Sequence, residues 1–217
     1  MTTSTILLSI CGIGWIITYI EALRVGHRDK SYGIPFIALG LNFTWELYYT
    51  LPGYFEFGTH VSSFFNAFWL LLDCGILYMY FNYGIKEVST KKSTFYIQAI
   101  VYLIGCMILQ HFVFQWVGIV LGALYMGFLQ CILMSILFIR MYYRRPGLQG
   151  QSLILAIAKF VGTLPLTILF GIIGSKRGGG VHEPILYIGS VIFILDVIYI
   201  YLVAKRSMSL KLSTLKK

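Results

Sequence analysis

Charge is scarce in this chain, and negative charge scarcest. Asp, Glu, Lys and Arg make up 12% of its 217 residues, about half the share of a soluble globular domain. Acids number only eight. That scarcity excludes an ordinary water-facing surface. The four cysteines, Cys11, Cys74, Cys106 and Cys131, stand singly, with neither the pairing density of a disulfide framework nor the spacing of a metal site. His111 has no second histidine close enough in sequence to suggest metal ligation. No basic segment precedes the first apolar run, which is long and followed by basic residues, so it reads as a retained helix rather than a cleaved signal. Gly178-Gly179-Gly180 lacks the lysine and hydroxyl of a phosphate-binding loop and reads as a flexible connection. No internal repeat relates the first three apolar segments to the last three, which argues against transporters built from duplicated halves.

What the chain has in abundance is apolar length. Hydrophobic residues make up 58% and mean hydropathy is +0.80, so the bilayer is the expected solvent. A spanning helix needs roughly 20 apolar residues. The pattern predicts an all-α, multi-pass bundle of seven transmembrane helices over 4–23, 34–52, 62–84, 95–113, 117–140, 152–174 and 184–204. Residues 1–205 form one domain and 206–217 a basic tail. Between Phe95 and Met141 the only charge is Arg140; the run is too long for one span, so a tight turn is expected near Gln110, His111, Gln115 and Trp116. Asn42-Phe43-Thr44 matches a glycosylation triplet but falls inside the second span, out of a transferase's reach.

Basic residues set the orientation, because loops kept in the cytoplasm carry the Lys and Arg. Arg24, Arg28 and Lys30 follow the first span, and Lys86, Lys91 and Lys92 the third. Arg140, Arg144 and Arg145 follow the fifth, and Lys205, Arg206, Lys211, Lys216 and Lys217 end the chain. All of these fall on one side if the N-terminus is outside and the C-terminus cytoplasmic. The other side holds Lys176 and Arg177, and Lys159 lies within the sixth span. The net charge of +9 is then explained by orientation and anionic membrane lipids, and no nucleic acid partner is needed.

Ionisable groups inside a span are costly and mark function by default. Asp29, Glu56, Glu87 and Glu183 fall in loops or at their edges, and Glu21 near the cytoplasmic end of the first span, beside Arg24 and Arg28. Glu46, Asp73 and Asp196 remain, each roughly 16 to 18 Å in from a helix end at 1.5 Å per residue. They share one middle layer and are expected to converge on one cavity. Residues three and four apart share a helix face, which adds Asn42, Trp45 and Tyr49 to Glu46, Asn66, Trp69 and Tyr80 to Asp73, and Tyr199 and Phe193 to Asp196. Trp15 and Tyr19 extend the set from the first span. Buried carboxyl groups disfavour their charged form and suit proton donation. Aromatic faces attract cations, and a dry cavity keeps water from quenching one. The chemistry that fits is carbocation chemistry.

The sequence here resembles the small integral-membrane terpene cyclases of fungal and bacterial meroterpenoid and indole-diterpene pathways, of the paspaline and pyripyropene cyclase type. Tyr32-Gly33-Ile34-Pro35 through Ala38-Leu39 to Asn42-Phe43-Thr44-Trp45-Glu46 is similar to the family's entry to its second helix. Gly150-Gln151-Ser152 with Ala156, Lys159 and Gly162-Thr163 is similar to the opening of its sixth, and Asp196 with Tyr199 to its last. The resemblance implies that Glu46 and Asp196 carry protonation, and that the substrate is a lipophilic prenylated small molecule. No aspartate-rich cluster is present that would hold Mg²⁺ and ionise a diphosphate, nor the aspartate-x-aspartate-aspartate motif of large soluble cyclases. The expected activity is a metal-independent cyclase without cofactor, with Glu46 and Asp196 catalytic and Trp15, Tyr19, Asn42, Trp45, Tyr49, Trp69, Asp73 and Tyr199 around the substrate.

Blander readings stand beside these. Each buried acid can be interhelical glue, and Asp73 can pair with Lys159 and fix packing. Lys159 can otherwise snorkel to the headgroups. A small proton-coupled transporter is the alternative function. A retinal-type receptor would need a lysine deep in the last span, where only Lys205 stands, at its end.

Overall fold

The computed structural model describes residues 2–58, 61–176 and 178–215, and its regular elements are helical throughout. Helix α1 (Thr3–Asp29) starts on Thr2, whose hydroxyl accepts from the Thr5 N–H, and ends on Lys30 in the left-handed region at φ 50°. The chain turns through Gly33 and Pro35 into α2 (Phe36–Phe57). A side chain at Gly33 would come within 2.6 Å of the Ala22 backbone, so the turn folds flat against α1. There follow α3 (Val61–Tyr83), a 3₁₀ turn (Gly84–Glu87), α4 (Lys92–Arg144), α5 (Leu153–Ile168) with a π turn (Leu169–Ile173), and α6 (Glu183–Leu215).

Six helices are therefore found where the sequence predicts seven. The difference lies in α4, a run of 53 residues that if straight would measure about 80 Å against a hydrocarbon core of about 30 Å. It is not straight. Gly118 sits at φ 79°, ψ 167°, a conformation open to glycine and strained for other residues. The two halves then meet the same stretch of α2. Before Gly118, Tyr102 donates to the Ile37 carbonyl at 2.6 Å and Gln110 to the Leu41 carbonyl at 3.4 Å; after it, Gln130 donates to Asn42 at 2.9 Å and Trp45 donates to the Ala123 carbonyl at 3.1 Å. The reversal is made at a single glycine with no loop between the two halves. It falls at Gly118, two residues past Trp116, at the end of the stretch where the turn is expected.

Among the described residues, five helices are long and apolar enough to cross a membrane, α2 not among them. Helix α6 continues past Lys205 to Leu215, so 206–215 extends a helix; Arg177, Lys216 and Lys217 lie outside the described residues.

Small residues govern the tightest helix contact. A side chain at Gly14 of α1 would lie 2.7 Å from the Gly162 Cα of α5 and 3.2 Å from the Ala158 carbonyl, and one at Gly162 would lie 2.9 Å from the Trp15 ring. Close backbone approach of this kind replaces the hydrophobic effect as the packing force in lipid. At the basic end, acids at the loops and helix ends form a clasp. Arg145, 6% exposed, donates to Glu87 at 2.7 Å and to the Tyr32 carbonyl at 2.8 Å, with its guanidinium 4.2 Å from the Tyr32 ring centre. Burial pushes the Tyr32 phenol up to about 12, so it stays neutral and donates to Glu87 at 2.9 Å. Asp29 accepts the Gly150 N–H at 2.7 Å, and Glu21 joins Arg24 to the Ser152 hydroxyl at 2.6 Å.

Gly162→Val is expected to lower stability in detergent by about 1–3 kcal/mol through overpacking, read as a fall in thermal midpoint. Gly105→Ala, whose added Cβ meets nothing within 4 Å, should leave the midpoint near wild type; equal loss in both would contradict the α1–α5 contact as the packing constraint.

Candidate active site

A cavity of about 270 Å³ runs into the bundle between α1, α2, α3, the second half of α4 and α5. That is just under the size of pockets that take drug-sized ligands. Its mouth is marked by Ser4, Gly53, Ser63, Ile119 and Gly178, which lie at the end opposite the clasp. Trp15, Trp45, Tyr49, Trp69, Phe128 and Phe170 form its walls, and Tyr19, Asn42, Glu46 and Gln130 its floor. The spacing along α1 from Ser4 to Tyr19 sets the depth at roughly 22 Å.

The rings are held by backbone acceptors and by one another. Trp69 donates to the Gly12 carbonyl at 3.4 Å and stacks on Phe65, centroids 5.9 Å apart. Trp45 packs on Tyr49 at 5.3 Å, and Trp15 on Tyr19 at 5.6 Å. Each pair comes from one helix at three- or four-residue spacing, the periodicity that made these faces readable in the sequence.

At the floor one amide joins several helices. Asn42 Nδ2 lies 2.7 Å from Tyr19 Oη, 2.9 Å from Glu46 Oε1 and 2.7 Å from Asp73 Oδ2. Tyr19 Oη in turn donates to Glu46 Oε1 at 2.7 Å, and Gln130 Nε2 donates to Asn42 Oδ1 at 2.9 Å. Glu46 is 1% exposed and Asp73 fully buried. Glu46 Oε1 is thus bonded twice, while Oε2 has no partner among the described residues. Glu46 lines the cavity; Asp73 stands behind the amide and does not.

The third acid is elsewhere. Asp196 Oδ1 and Oδ2 accept from Lys159 Nζ at 2.7 and 2.9 Å, and Oδ1 also accepts from Ser135 Oγ at 2.8 Å. Lys159 is fully buried, so it neither snorkels nor pairs with Asp73. The cluster lies one helical turn beneath the cavity: Ser135 bonds the carbonyl of Cys131, and Thr163 that of Lys159, with Cys131 and Thr163 themselves on the cavity wall. Tyr199 donates to Gln151 at 3.2 Å and packs on Phe138, away from the cavity. The expected convergence of three acids on one cavity is therefore corrected to one acid on the cavity, one behind its floor and one in an ion pair below. The physical reason is Lys159: a buried ammonium requires a carboxylate, and Asp196 supplies it.

Sequence reading assigned no part to Gln130 or Ser135. Gln130 was findable, as a lone carboxamide between Gly118 and Arg140 in an otherwise apolar segment; Ser135, a common packing residue in membrane helices, carries no such signal.

Fold and site together define a helical membrane protein with an aromatic-walled cavity closed at depth by a carboxyl. The model of the Pyr4-like transmembrane terpene cyclases matches residues 1–206, and the chain belongs to that family. Among its relatives, the terpene cyclase ascF of Acremonium egyptiacum is 36% identical over 76 residues, 35% of this chain and 27% of that protein. The Pyr4-family terpene cyclase mfmH of Annulohypoxylon moriforme is 37% identical over 83 residues, 37% of this chain and 32% of its own. The terpene cyclase subB of Metarhizium robertsii is 34% identical over 67 residues, 31% of this chain and 38% of its own. The chain thus spans about a third of the length of these curated relatives.

Removing one partner of a buried ion pair leaves an uncompensated charge, a loss of about 3–5 kcal/mol. Lys159→Met should lower the thermal midpoint sharply, and Lys159→Met with Asp196→Leu should recover most of it. A double variant no better than the single would contradict the pairing.

Proposed function

We propose that this chain is a membrane-embedded terpene cyclase that takes a lipophilic prenylated substrate into the aromatic cavity and starts ring closure by protonating its terminal epoxide or alkene from Glu46, without a metal ion. The observation that carries this reading is that Glu46 alone among the three mid-bundle acids lines the cavity; its Oε2, like Asp73 Oδ1 behind the amide, has no partner among the described residues. Tyr19 and Asn42 hold Oε1, so the free Oε2 is the atom that faces substrate. Its proton passes to the epoxide oxygen or an alkene carbon. The resulting cation is carried past Trp15, Trp45 and Trp69, each desolvated aromatic face being worth about 2 kcal/mol. The cascade ends when a carbon-bound proton, or that of an attacking substrate hydroxyl, returns to the Glu46 carboxylate, so the enzyme is regenerated unchanged.

Asp196 takes a different part in this reading. A carboxylate held by an ammonium and a serine hydroxyl is a poor proton donor, so its part is to neutralise Lys159 beneath the site. The family resemblance that pairs Asp196 with Glu46 then reflects a shared architecture rather than two donors.

The same proposal includes an orientation. Each half of α4 crosses the bilayer separately, and α2, which is bonded to both halves, crosses with them although it is less apolar; together with α1, α3, α5 and α6 that gives seven passages, with the N-terminus outside and the C-terminus cytoplasmic. The clasp of Arg145, Glu87 and Tyr32 then sits on the cytoplasmic side, and the cavity opens towards the outer leaflet, from which a lipid-soluble substrate enters. The alternative of a proton-coupled transporter is less well supported, because the cavity is floored by the Asn42 network and backed by the Lys159–Asp196 pair and the clasp.

Two measurements test this. Membranes holding wild type should cyclise at least one member of a panel of prenylated and epoxyprenylated aromatic substrates in EDTA, with products followed by mass spectrometry and NMR. Glu46→Gln should lose about 10²-fold or more in kcat; full activity in that variant, or dependence on metal, sinks the mechanism. Separately, a cysteine placed at Thr90 should react with an impermeant thiol reagent only from the cytoplasmic side, and one at Ser175 only from the other; the reverse pattern inverts the orientation.

A further inference from the structure

Gln130 belongs to no motif that suggested the site, yet it decides which way the floor's central amide faces. An asparagine amide has two N–H donors on one side and a carbonyl on the other, and nothing in its shape fixes which is which. Asn42 has its nitrogen among Tyr19 Oη, Glu46 Oε1 and Asp73 Oδ2, and its oxygen towards α4, where Gln130 Nε2 meets it at 2.9 Å. Gln130 is 3% exposed. Its own carbonyl Oε1 has no partner among the described residues, and its side chain lines the cavity.

We propose that Gln130 is a positioning residue of the proton donor: by donating to Asn42 Oδ1 it locks both Asn42 N–H groups onto the acids, which keeps the proton of Glu46 on the oxygen that faces the cavity. This rests on Glu46 as donor. Consider the amide turned over. Its carbonyl would then face Glu46 and Asp73, two groups that offer a hydrogen only when protonated. It would accept the proton of whichever acid carried one and turn that proton inward, away from substrate. With the amide as observed, Oε1 is filled by the Asn42 and Tyr19 donors, and a proton on Glu46 has only Oε2 left. The titratable groups facing the amide are Tyr19 from α1, Glu46 from α2 and Asp73 from α3; Cys131 flanks Gln130 on α4, and the Lys159–Asp196 pair lies one turn deeper.

Glutamate has glutamine's shape but, when ionised, no hydrogen to donate, so Gln130→Glu isolates the donor from the volume. Gln130→Leu removes the donor and the carbonyl together. In purified full-length protein, kcat should fall about 10- to 100-fold in Gln130→Leu at every pH, and in Gln130→Glu at alkaline pH, where its buried carboxyl, which burial keeps protonated to higher pH, has ionised; that is a part of what general acid catalysis contributes, with KM within about twofold. Acidification should restore Gln130→Glu towards wild type, because the protonated glutamate again donates to Asn42, and should leave Gln130→Leu low. A merely structural role would lower both variants alike and show no such recovery. Infrared spectra of the carboxyl C=O stretch, assigned with Glu46→Gln, give a reading without turnover. The Glu46 band should shift in Gln130→Leu, and in Gln130→Glu should return towards wild type at acid pH. Full activity of Gln130→Glu at every pH, or a Glu46 band unmoved in both variants, overturns the proposal. If wild type cyclises nothing, the donor mechanism has failed separately, and the infrared comparison alone decides whether Gln130 orients the amide.

Discussion

A polar atom buried in a bilayer has no water to turn to, and Asn42 is where this protein meets that constraint most directly. Its one carboxamide touches Tyr19 from α1, Glu46 on its own helix, Asp73 from α3 and Gln130 from α4. Lipid tails give helices no hydrophobic reason to associate, so packing and interhelical hydrogen bonds must set their register. A shift of one helix by a single residue, about 1.5 Å along the axis and 100° around it, would carry its polar side chain out of reach of the amide. The residue that floors the cavity is also the residue that aligns four helices around it.

Beneath this layer the charges are arranged in order of burial. Lys159 and Asp196 form a closed pair with Ser135, and further on the clasp combines Glu87, Arg145, Tyr32, Asp29 and Gly150. Arg206 ends the series, donating to the carbonyls of Tyr142 and Gly147 with its guanidinium 3.6 Å from the Tyr142 ring centre. These contacts leave the wide part of the bundle at the opposite end, where Gly53, Gly118 and Gly178 take little space and the cavity opens. The motifs that most resemble the family, Gly33-Ile34-Pro35 and Gly150-Gln151-Ser152, belong to the closed end. Their glycines sit where an added side chain would meet backbone at 2.6 Å.

How much of this was legible follows from which signals are local. Hydropathy and helical spacing found the helices and the faces bearing Trp15, Trp45, Glu46 and Trp69, because those depend on residues three and four apart. The fourth and fifth spans were separated on the length of the run and the polar residues Gln110 to Trp116, and the structure reverses just beyond them, at a glycine of positive φ that needs no loop. Depth along a helix was legible to within about a turn, but it says nothing of rotation about the axis. Asp73 lies in the layer of Glu46 and faces the back of the amide; Asp196 lies one turn deeper and faces Lys159. Which acid neutralises Lys159 is a question of pairing across helices, and no spacing within one helix answers it. Gln130 was overlooked for the converse reason: it carries no charge, so a search for costly ionisable groups passed over it.

The polar atoms left without partners sharpen the reading of the site. An unpaired buried acceptor costs about 1–3 kcal/mol, a cost that an occupant of the cavity can offset only for the atoms that line it. Glu46 Oε2, Gln130 Oε1 and Tyr49 Oη are all buried, all without partners among the described residues, and all on side chains that line the cavity. Gln130 Oε1 is the negative end of its amide dipole, Glu46 Oε2 becomes negative once it has given up its proton, and the remaining wall is largely aromatic faces, which are also negative at their centres. A saturated apolar occupant would leave those atoms unsatisfied, and an anion would be repelled by them. A group that gains positive charge while it is inside, as a protonated polyene does, is what such a cavity stabilises, and it does so more strongly as the charge develops than before it appears.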